Sequence, residues 1–238
     1  ISKLLKILER KGLLKNKKFK IKIKKNIPSK AGLGGGSMNA SSILNFFIKK
    51  KIIKLKKGYN LANLTKLIGS DVILGLKPNN TVLFSNGKMK TFKGNNKFFT
   101  VIAKPRFGCS TKYIYSMVKL YSRSKFNLFN KEMFSPHYLK NLKNDLEKIA
   151  FLKHPKLKKI KFFLEKLPNT MFVRMTGSGS AIVAYYNSKK ASHYAKKNLK
   201  KNLKVTGALH QKLYKDNFLC YRKLIMGRSQ AVRHGFLV

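Results

Sequence analysis

The sequence predicts an α+β fold. Helical and strand patterns follow one another irregularly along the chain, hairpin signals lie between some of them, and no internal repeat is visible. A doubly wound parallel sheet would require a regular alternation of strands and helices, which this order does not favour. Because 43% of the 238 residues are hydrophobic, the chain can bury the core of one large domain or two small ones.

Helices are predicted where apolar residues recur three and four positions apart. Gly12 and Gly69 are typical helix stops, and Ser110 and Ser188 are typical N-terminal caps. The predicted helices cover residues 1–10, 38–51, 61–68, 110–121, 138–151, 156–166 and 188–199.

Strands are predicted where apolar residues alternate with polar ones or form short runs. The turn Asn86-Gly87 between two such segments is typical of a β-hairpin. The polar residues 122–136 indicate a loop or linker. The predicted strands lie at 19–23, 81–84, 89–92, 98–103, 171–175 and 181–186.

The net charge is extreme, since 54 Lys and Arg residues face 7 Asp and Glu residues, for a formal charge of +47. A basic chain can bind nucleic acid through release of phosphate counterions. Lysines are spread evenly, however, and accompany abundant Ile, Asn and Phe, which favours a coding bias and makes nucleic acid an unlikely specific partner. In either case the positive electrostatic potential of the chain attracts anionic ligands such as nucleotides.

The two cysteines, Cys109 and Cys220, provide neither a disulfide framework nor metal-ligand spacing, which indicates a reducing, cytoplasmic location. Cys109 is expected to be a buried thiol because no histidine pairing is evident. No apolar run is long enough to span a membrane. The chain begins with Ile1, and we expect its natural start to lie upstream.

Residues 28–37 read PSKAGLGGGS and interrupt the lysine-rich pattern. A Walker loop requires Gly-Lys-Ser/Thr, and a dinucleotide fingerprint requires G-x-G-x-x-G followed by an acidic residue. Neither pattern is present, and no acidic residue occurs between Glu9 and Asp71. The run therefore indicates a glycine loop whose amides face an anion at a helix N-terminus, with a plain tight turn as the alternative.

This segment resembles the ATP loop of the GHMP kinases, the superfamily of galactose, homoserine, mevalonate and phosphomevalonate kinases. Residues 67–72, LIGSDV, resemble the segment that carries the family's catalytic aspartate, and residues 174–180, RMTGSGS, resemble its C-terminal glycine motif. Residues 104–112 resemble the family's middle region. The likeness covers roughly residues 1–205, and the motifs occur in the family's order.

The resemblance implies ATP and Mg²⁺ as cofactors. Within the family, the triple glycine is similar to the branch that phosphorylates the 2-hydroxyl of a small molecule, cytidine-diphospho-methylerythritol, in non-mevalonate isoprenoid (terpenoid) synthesis. The resemblance further implies that Asp71 is the catalytic base and that Ser37 helps to hold Mg²⁺. The implied ATP-binding residues are Pro28, Ala31, Gly32, Leu33, Gly34, Gly35, Gly36, Ser37, Asn39, Gly177, Ser178 and Gly179.

The implied architecture is a GHMP kinase-like two-domain α/β sandwich that lacks the first N-terminal strands. Residues 1–95 would form the ATP-binding domain, 96–215 the C-terminal domain, and 216–238 an atypical tail to which we assign no function. Because the family's N-terminal lysine and Tyr-His pair should precede residue 1, we expect this chain alone to phosphorylate poorly. Another GHMP small-molecule kinase and a basic nucleic-acid-binding protein remain as alternatives.

Overall fold

The computed structural model describes residues 1–14, 18–23, 28–76, 80–84, 89–92, 98–122, 131–202, 207–212, 221–226 and 232–237. The chain forms two compact units. The first unit comprises Ile1–Pro28 and Gly34–Pro78, and the second comprises Ser29–Leu33 and Asn79–Val238. The division into an ATP-binding and a C-terminal domain after residue 95 stays a prediction.

The first unit is helical in its described part. Its core is made by the apolar stripes of three helices, with Leu8, Leu44 and Leu64 buried at their contacts. The helix α2 begins three residues earlier than the sequence predicted, so the glycine run forms its first turn. The elements are α1 (Ser2–Arg10), α2 (Gly35–Lys49), α3 (Leu61–Ile68) and a 3-10 helix (Ile73–Leu76).

The strand predicted at residues 19–23 is wrong, because none of these residues pairs in a ladder. Phe19 instead packs its ring against Phe47 of α2, with 4.6 Å between the ring centroids. Alternating apolar residues indicate that one side of a segment is buried, but here Phe19 packs on a helix whereas Ile23 is exposed.

The second unit contains two four-stranded sheets, ordered β2-β1-β7-β8 and β4-β5-β3-β6. Strands β1 and β7 pair in parallel, and every other recorded pairing is antiparallel. The predicted hairpin is confirmed by the β1–β2 pairing, although Asn86-Gly87 lies outside the described residues. The strands are β1 (Asn80–Leu83), β2 (Met89–Phe92), β3 (Phe99–Lys104), β4 (Phe172–Met175), β5 (Ile182–Tyr186), β6 (Gly207–Lys212), β7 (Tyr221–Met226) and β8 (Val232–Leu237).

Helices α7 and α8 pack on the sheet β4-β5-β3-β6 and bury a second core. Ser110 caps α4 as predicted, but this helix ends at Ser116 and not near Tyr121. The helix predicted over 138–151 is two helices joined by a turn. The helices are α4 (Thr111–Ser116), α5 (Pro136–Lys140), α6 (Leu146–Lys153), α7 (Pro155–Glu165) and α8 (Lys189–Asn202), with a 3-10 helix at Lys131–Phe134.

A helical unit followed by sheets whose strand pairings are mostly antiparallel agrees with the predicted α+β class. Within the described ranges, no helix combines the length and the apolar character that crossing a bilayer requires.

Candidate active site

The first turn of α2 consists of the glycine run. Gly34 is the N-terminal cap with φ +63°, and within the described residues no side chain caps the helix. The first backbone N–H groups of a helix have no acceptor within it, and the helix dipole adds partial positive charge there. A methyl group built on Gly35 or Gly36 would meet nothing within 4 Å. This turn can therefore present amides to an anion without steric obstruction.

Asp71 lies in the turn that follows α3. The Gly69 amide closes that helix with a hydrogen bond of 2.9 Å to the Thr65 carbonyl. The Ser70 hydroxyl donates to Oδ1 of Asp71 at 3.0 Å, and the carboxylate is half-buried. Val72 beside it is buried, so the turn is anchored to the core directly after the carboxylate.

Ser41 joins the Asp71 turn to α2. Its fully buried hydroxyl lies 2.9 Å from the Ser37 carbonyl and 2.5 Å from the Val72 carbonyl. A Cβ on Gly75 would stand 2.1 Å from the Ser41 hydroxyl oxygen, so the backbone passes close to the helix. The glycine run is thus the first turn of α2, and the turn that carries Asp71 is hydrogen-bonded to the same helix. Sequence reasoning missed Ser41, whose only signal is a hydroxyl on the apolar face of α2.

We expect Ser41→Ala to lower the free energy of unfolding by about 1–3 kcal/mol, because the buried Val72 carbonyl loses its donor. Urea denaturation measures the change. Ser42→Ala on the exposed face of the same helix is the matched control, expected within about 0.5 kcal/mol of the wild type. Equal stability of the two variants would show that this hydrogen bond does not hold the turn.

The second glycine segment, residues 176–180, connects β4 to β5 in the second unit. The Ala181 amide donates to the Ala31 carbonyl at 3.0 Å, and the Thr176 hydroxyl donates to the Gly32 carbonyl at 2.6 Å. Gly32 has φ +73°, and a Cβ there would lie 2.1 Å from the Thr176 carbonyl oxygen. Residues 29–33 and 176–181 therefore pack backbone against backbone, which only glycine permits at position 32.

The ATP-binding residues predicted from the sequence differ in how far their side chains are exposed. The side chains of Ala31 and Leu33 are buried, so they could reach a nucleotide only through their backbone atoms. Pro28 is exposed and Asn39 is half-buried.

In the second glycine segment several polar groups already have partners. The buried Ser178 hydroxyl lies 2.9 Å from the Thr111 hydroxyl, and the Gly179 amide donates to the Thr176 carbonyl at 2.9 Å. The Gly177 carbonyl accepts from the Asn144 amide. Residues 34–39 and Asp71 belong to the first unit, whereas residues 29–33 and 177–179 belong to the second.

Two buried polar groups lie beside this segment. Lys104 Nζ donates to the Pro105 and Phe107 carbonyls at 2.6 Å each, and burial lowers its pKa. The Ser180 hydroxyl also donates to the Phe107 carbonyl, at 2.7 Å, so Lys104 stabilises the turn on which the segment rests. Burial raises the pKa of the Cys109 thiol, which keeps it protonated at neutral pH. Across the residues that the structure describes, no three His, Cys, Asp or Glu side chains form a metal-binding group.

Comparison with known proteins identifies relatives of this chain. The sequence profile "GHMP kinases N terminal domain" matches residues 1–77. The chain is 61% identical over 191 residues to 4-diphosphocytidyl-2-C-methyl-D-erythritol kinase of Pelagibacter ubique, covering 80% of this chain and 68% of the relative. The enzyme of the same name from Petrotoga mobilis is 33% identical, covering 72% of this chain and 70% of the relative.

Solved structures support the fold. A crystal structure of 4-(cytidine 5'-diphospho)-2C-methyl-D-erythritol kinase superposes with a TM-score of 0.61 at 22% identity, covering 79% of this chain and 68% of that one. Homoserine kinase from Cytophaga hutchinsonii superposes with a TM-score of 0.52 at 14% identity, covering 88% and 73%. At these identities the likeness concerns the fold alone, and it confirms the predicted GHMP kinase-like α+β architecture.

Proposed function

The chain belongs to the GHMP kinases and, within them, to the 4-diphosphocytidyl-2-C-methyl-D-erythritol kinases, and we propose that it transfers the γ-phosphate of ATP to the 2-hydroxyl of that substrate. The reaction belongs to non-mevalonate isoprenoid biosynthesis, which we place in the cytoplasm. The observation that carries the proposal for the site is the uncapped first turn of α2, where glycine amides are open to an anion.

ATP would bind with its phosphates against the amides of Gly35, Gly36 and Ser37. Phosphoryl transfer depends on positioning and on stabilisation of charge, and backbone amides at a helix N-terminus supply both. Glycine leaves no side chain between these amides and the phosphate oxygens. The high positive charge of the chain adds long-range attraction for a triphosphate.

Asp71 would accept the proton of the substrate's 2-hydroxyl. A hydroxyl is a weak nucleophile at neutral pH, and a positioned carboxylate assists as it attacks the γ-phosphorus atom. The hydrogen bonds of Ser70 to Asp71 and of Ser41 to the Val72 carbonyl restrict where this carboxylate can lie relative to α2. The proton moves from the hydroxyl to Asp71 while the bond between the γ-phosphorus atom and ADP breaks.

The donors present fit a magnesium ion, because the Ser37 hydroxyl is a hard oxygen ligand and ATP supplies phosphate oxygens. When bound, Mg²⁺ would neutralise charge on the phosphates. The half-buried Ser37 also offers its carbonyl to Ser41, which fixes the backbone that carries the hydroxyl.

Alanine at Gly35 or Gly36 is expected to leave the fold intact and to weaken ATP binding by about tenfold or more. Each methyl group has open space, and alanine favours a helix by about 0.5–1 kcal/mol over glycine, so stability does not fall. The same methyl would occupy the surface that the phosphates approach. Titration calorimetry and thermal unfolding measure the two quantities, with Ser42→Ala as the control that keeps ATP affinity. Unchanged ATP affinity in both glycine variants would show that the phosphates do not bind at this turn.

Transfer of labelled phosphate from ATP tests the acceptor. We expect slow product formation, in line with the poor phosphorylation expected of this chain alone, with 4-diphosphocytidyl-2-C-methyl-D-erythritol and none with homoserine or mevalonate, which are acceptors of other GHMP kinases. Preference for either of these would indicate another member of the superfamily. Failure to bind ATP, combined with DNA binding that falls steeply with salt, would indicate the nucleic-acid alternative.

A further inference from the structure

The turn between α5 and α6 carries a buried amide that reaches the second glycine segment. Asn144 is 6% exposed, and its Nδ2 donates to the Met175 carbonyl at 2.9 Å and to the Gly177 carbonyl at 2.8 Å. Its Oδ1 accepts the amide of Leu146, the first residue of α6, at 3.0 Å. Both hydrogens of the Asn144 amide thus bind the carbonyls of Met175 and Gly177, and its oxygen binds the first amide of α6.

A second side chain of α6 holds the same strand end. Glu147 Oε1 accepts the Met175 amide at 2.7 Å, while its Oε2 lies 2.6 Å from Lys161 Nζ. Met175 ends β4, an edge strand of its sheet. Asn144 and Glu147 therefore satisfy both backbone groups of Met175 from the side opposite β5.

Strand β4 also donates hydrogen bonds to the connection between α5 and α6. The Arg174 guanidinium is buried and donates to the Leu139 carbonyl at 2.9 Å and also to the Leu142 carbonyl. Hydrogen bonds that run in both directions between a turn and a strand restrict the freedom of each. The chain is therefore fixed before Asn144, where Arg174 binds the Leu139 and Leu142 carbonyls, and after it, where the Leu146 amide binds Oδ1 of Asn144.

The opposite side of the glycine segment rests on the ATP loop. A Cβ on Gly177 would stand 2.9 Å from the Gly32 carbonyl oxygen, and the Thr176 hydroxyl donates to the same oxygen. Gly32 precedes Gly34, the cap residue of α2, by two residues. A movement of the Gly177 peptide would therefore displace Gly32, a residue to which the family resemblance assigns ATP binding.

We propose that Asn144 is a positioning residue of the ATP site, which fixes the second glycine segment and, through it, the backbone of Gly32. The inference rests on the proposed kinase function and on the ATP-binding role that the family resemblance implies for Gly32, Gly177 and Gly179. Asn144 acts through the carbonyls of Met175 and Gly177 and does not touch the nucleotide, because its own donors are already engaged.

Two substitutions in the full chain test the role. Asn144→Asp keeps the shape and the acceptor for Leu146 but replaces the donor group by an oxygen that repels both carbonyls. Asn144→Ser keeps an oxygen that can accept the Leu146 amide but is too short to reach the two carbonyls, which covers the case that the aspartate variant does not fold. Asn141→Asp is the matched control, since this exposed amide caps the end of α5 and donates to the His137 carbonyl of that helix.

We expect ATP affinity, measured by calorimetry, to fall by about tenfold or more in both Asn144 variants, because two buried carbonyls lose their donor. Amide hydrogen exchange should accelerate at residues 176–181 and not in the core of α7 or β5. The control should match the wild type in both measurements. A purely structural role would accelerate exchange everywhere and leave the ATP affinity of the folded protein unchanged.

The outcomes separate the two proposals. If the wild type does not bind ATP, the proposed function is wrong. If the wild type binds ATP and a folded Asn144 variant binds it equally well, or if exchange at residues 176–181 does not change, the positioning role is wrong.

Discussion

Gly32→Ala is expected to lower the free energy of unfolding by about 3 kcal/mol or more, a larger loss than the removal of a single buried hydrogen bond causes. The new Cβ would lie 2.1 Å from the Thr176 carbonyl oxygen and 2.9 Å from the Gly179 amide nitrogen. Both are backbone atoms, so neither can rotate away as a flexible side chain would. The left-handed φ of +73° adds strain for any residue with a side chain.

Urea denaturation measures this loss, and Gly12→Ala is its control. Gly12 has a similar φ of +66°, but a Cβ there meets nothing within 4 Å. The control therefore carries the backbone strain alone, about 1–2 kcal/mol. Equal losses in the two variants would mean that the two glycine segments do not pack as closely as the structure shows.

Asp71→Asn is expected to reduce phosphoryl transfer by about 10²–10⁴-fold while leaving ATP affinity unchanged. Asparagine retains the shape of the side chain and can still accept the Ser70 hydrogen bond through its oxygen. It cannot take up the proton of the attacking hydroxyl. Because we propose that backbone amides of α2 hold the nucleotide, we expect its binding not to depend on this carboxylate.

Single-turnover kinetics and ATP titration measure the two effects separately. Glu9→Gln on the exposed face of α1 removes one negative charge from the same unit, and we expect it to retain full turnover. Undiminished transfer by the Asp71 variant would place the catalytic base elsewhere.

Local patterns located the helices of the first unit, although they placed the start of α2 three residues too late. The stripe Leu61, Leu64, Leu67 and Ile68 followed by Gly69 predicts α3 to the residue, because periodicity and a stop signal are both local. The segment 19–23 shows where such reasoning ends. Its alternation is as regular as that of a strand, but whether a partner strand exists depends on residues far away in the chain.

The candidate site likewise contains residues that sequence patterns point to and residues that only the tertiary structure reveals. The glycine run and Asp71 could be proposed from sequence because they resemble, in order, motifs of the GHMP kinases, and their roles stay predictions. Ser41 and Asn144 could not be identified, since each acts on a carbonyl 31 residues away. Their side chains are common types in ordinary surroundings, and only the tertiary structure reveals what they bind.

The most direct measurement is a crystal structure of the chain with a non-hydrolysable ATP analogue. We expect the β- and γ-phosphates within hydrogen-bonding distance, about 3 Å, of the amides of Gly35, Gly36 and Ser37. A triphosphate bound at any other place would contradict the assignment of the glycine run and, with it, the proposed roles of Asp71 and Asn144.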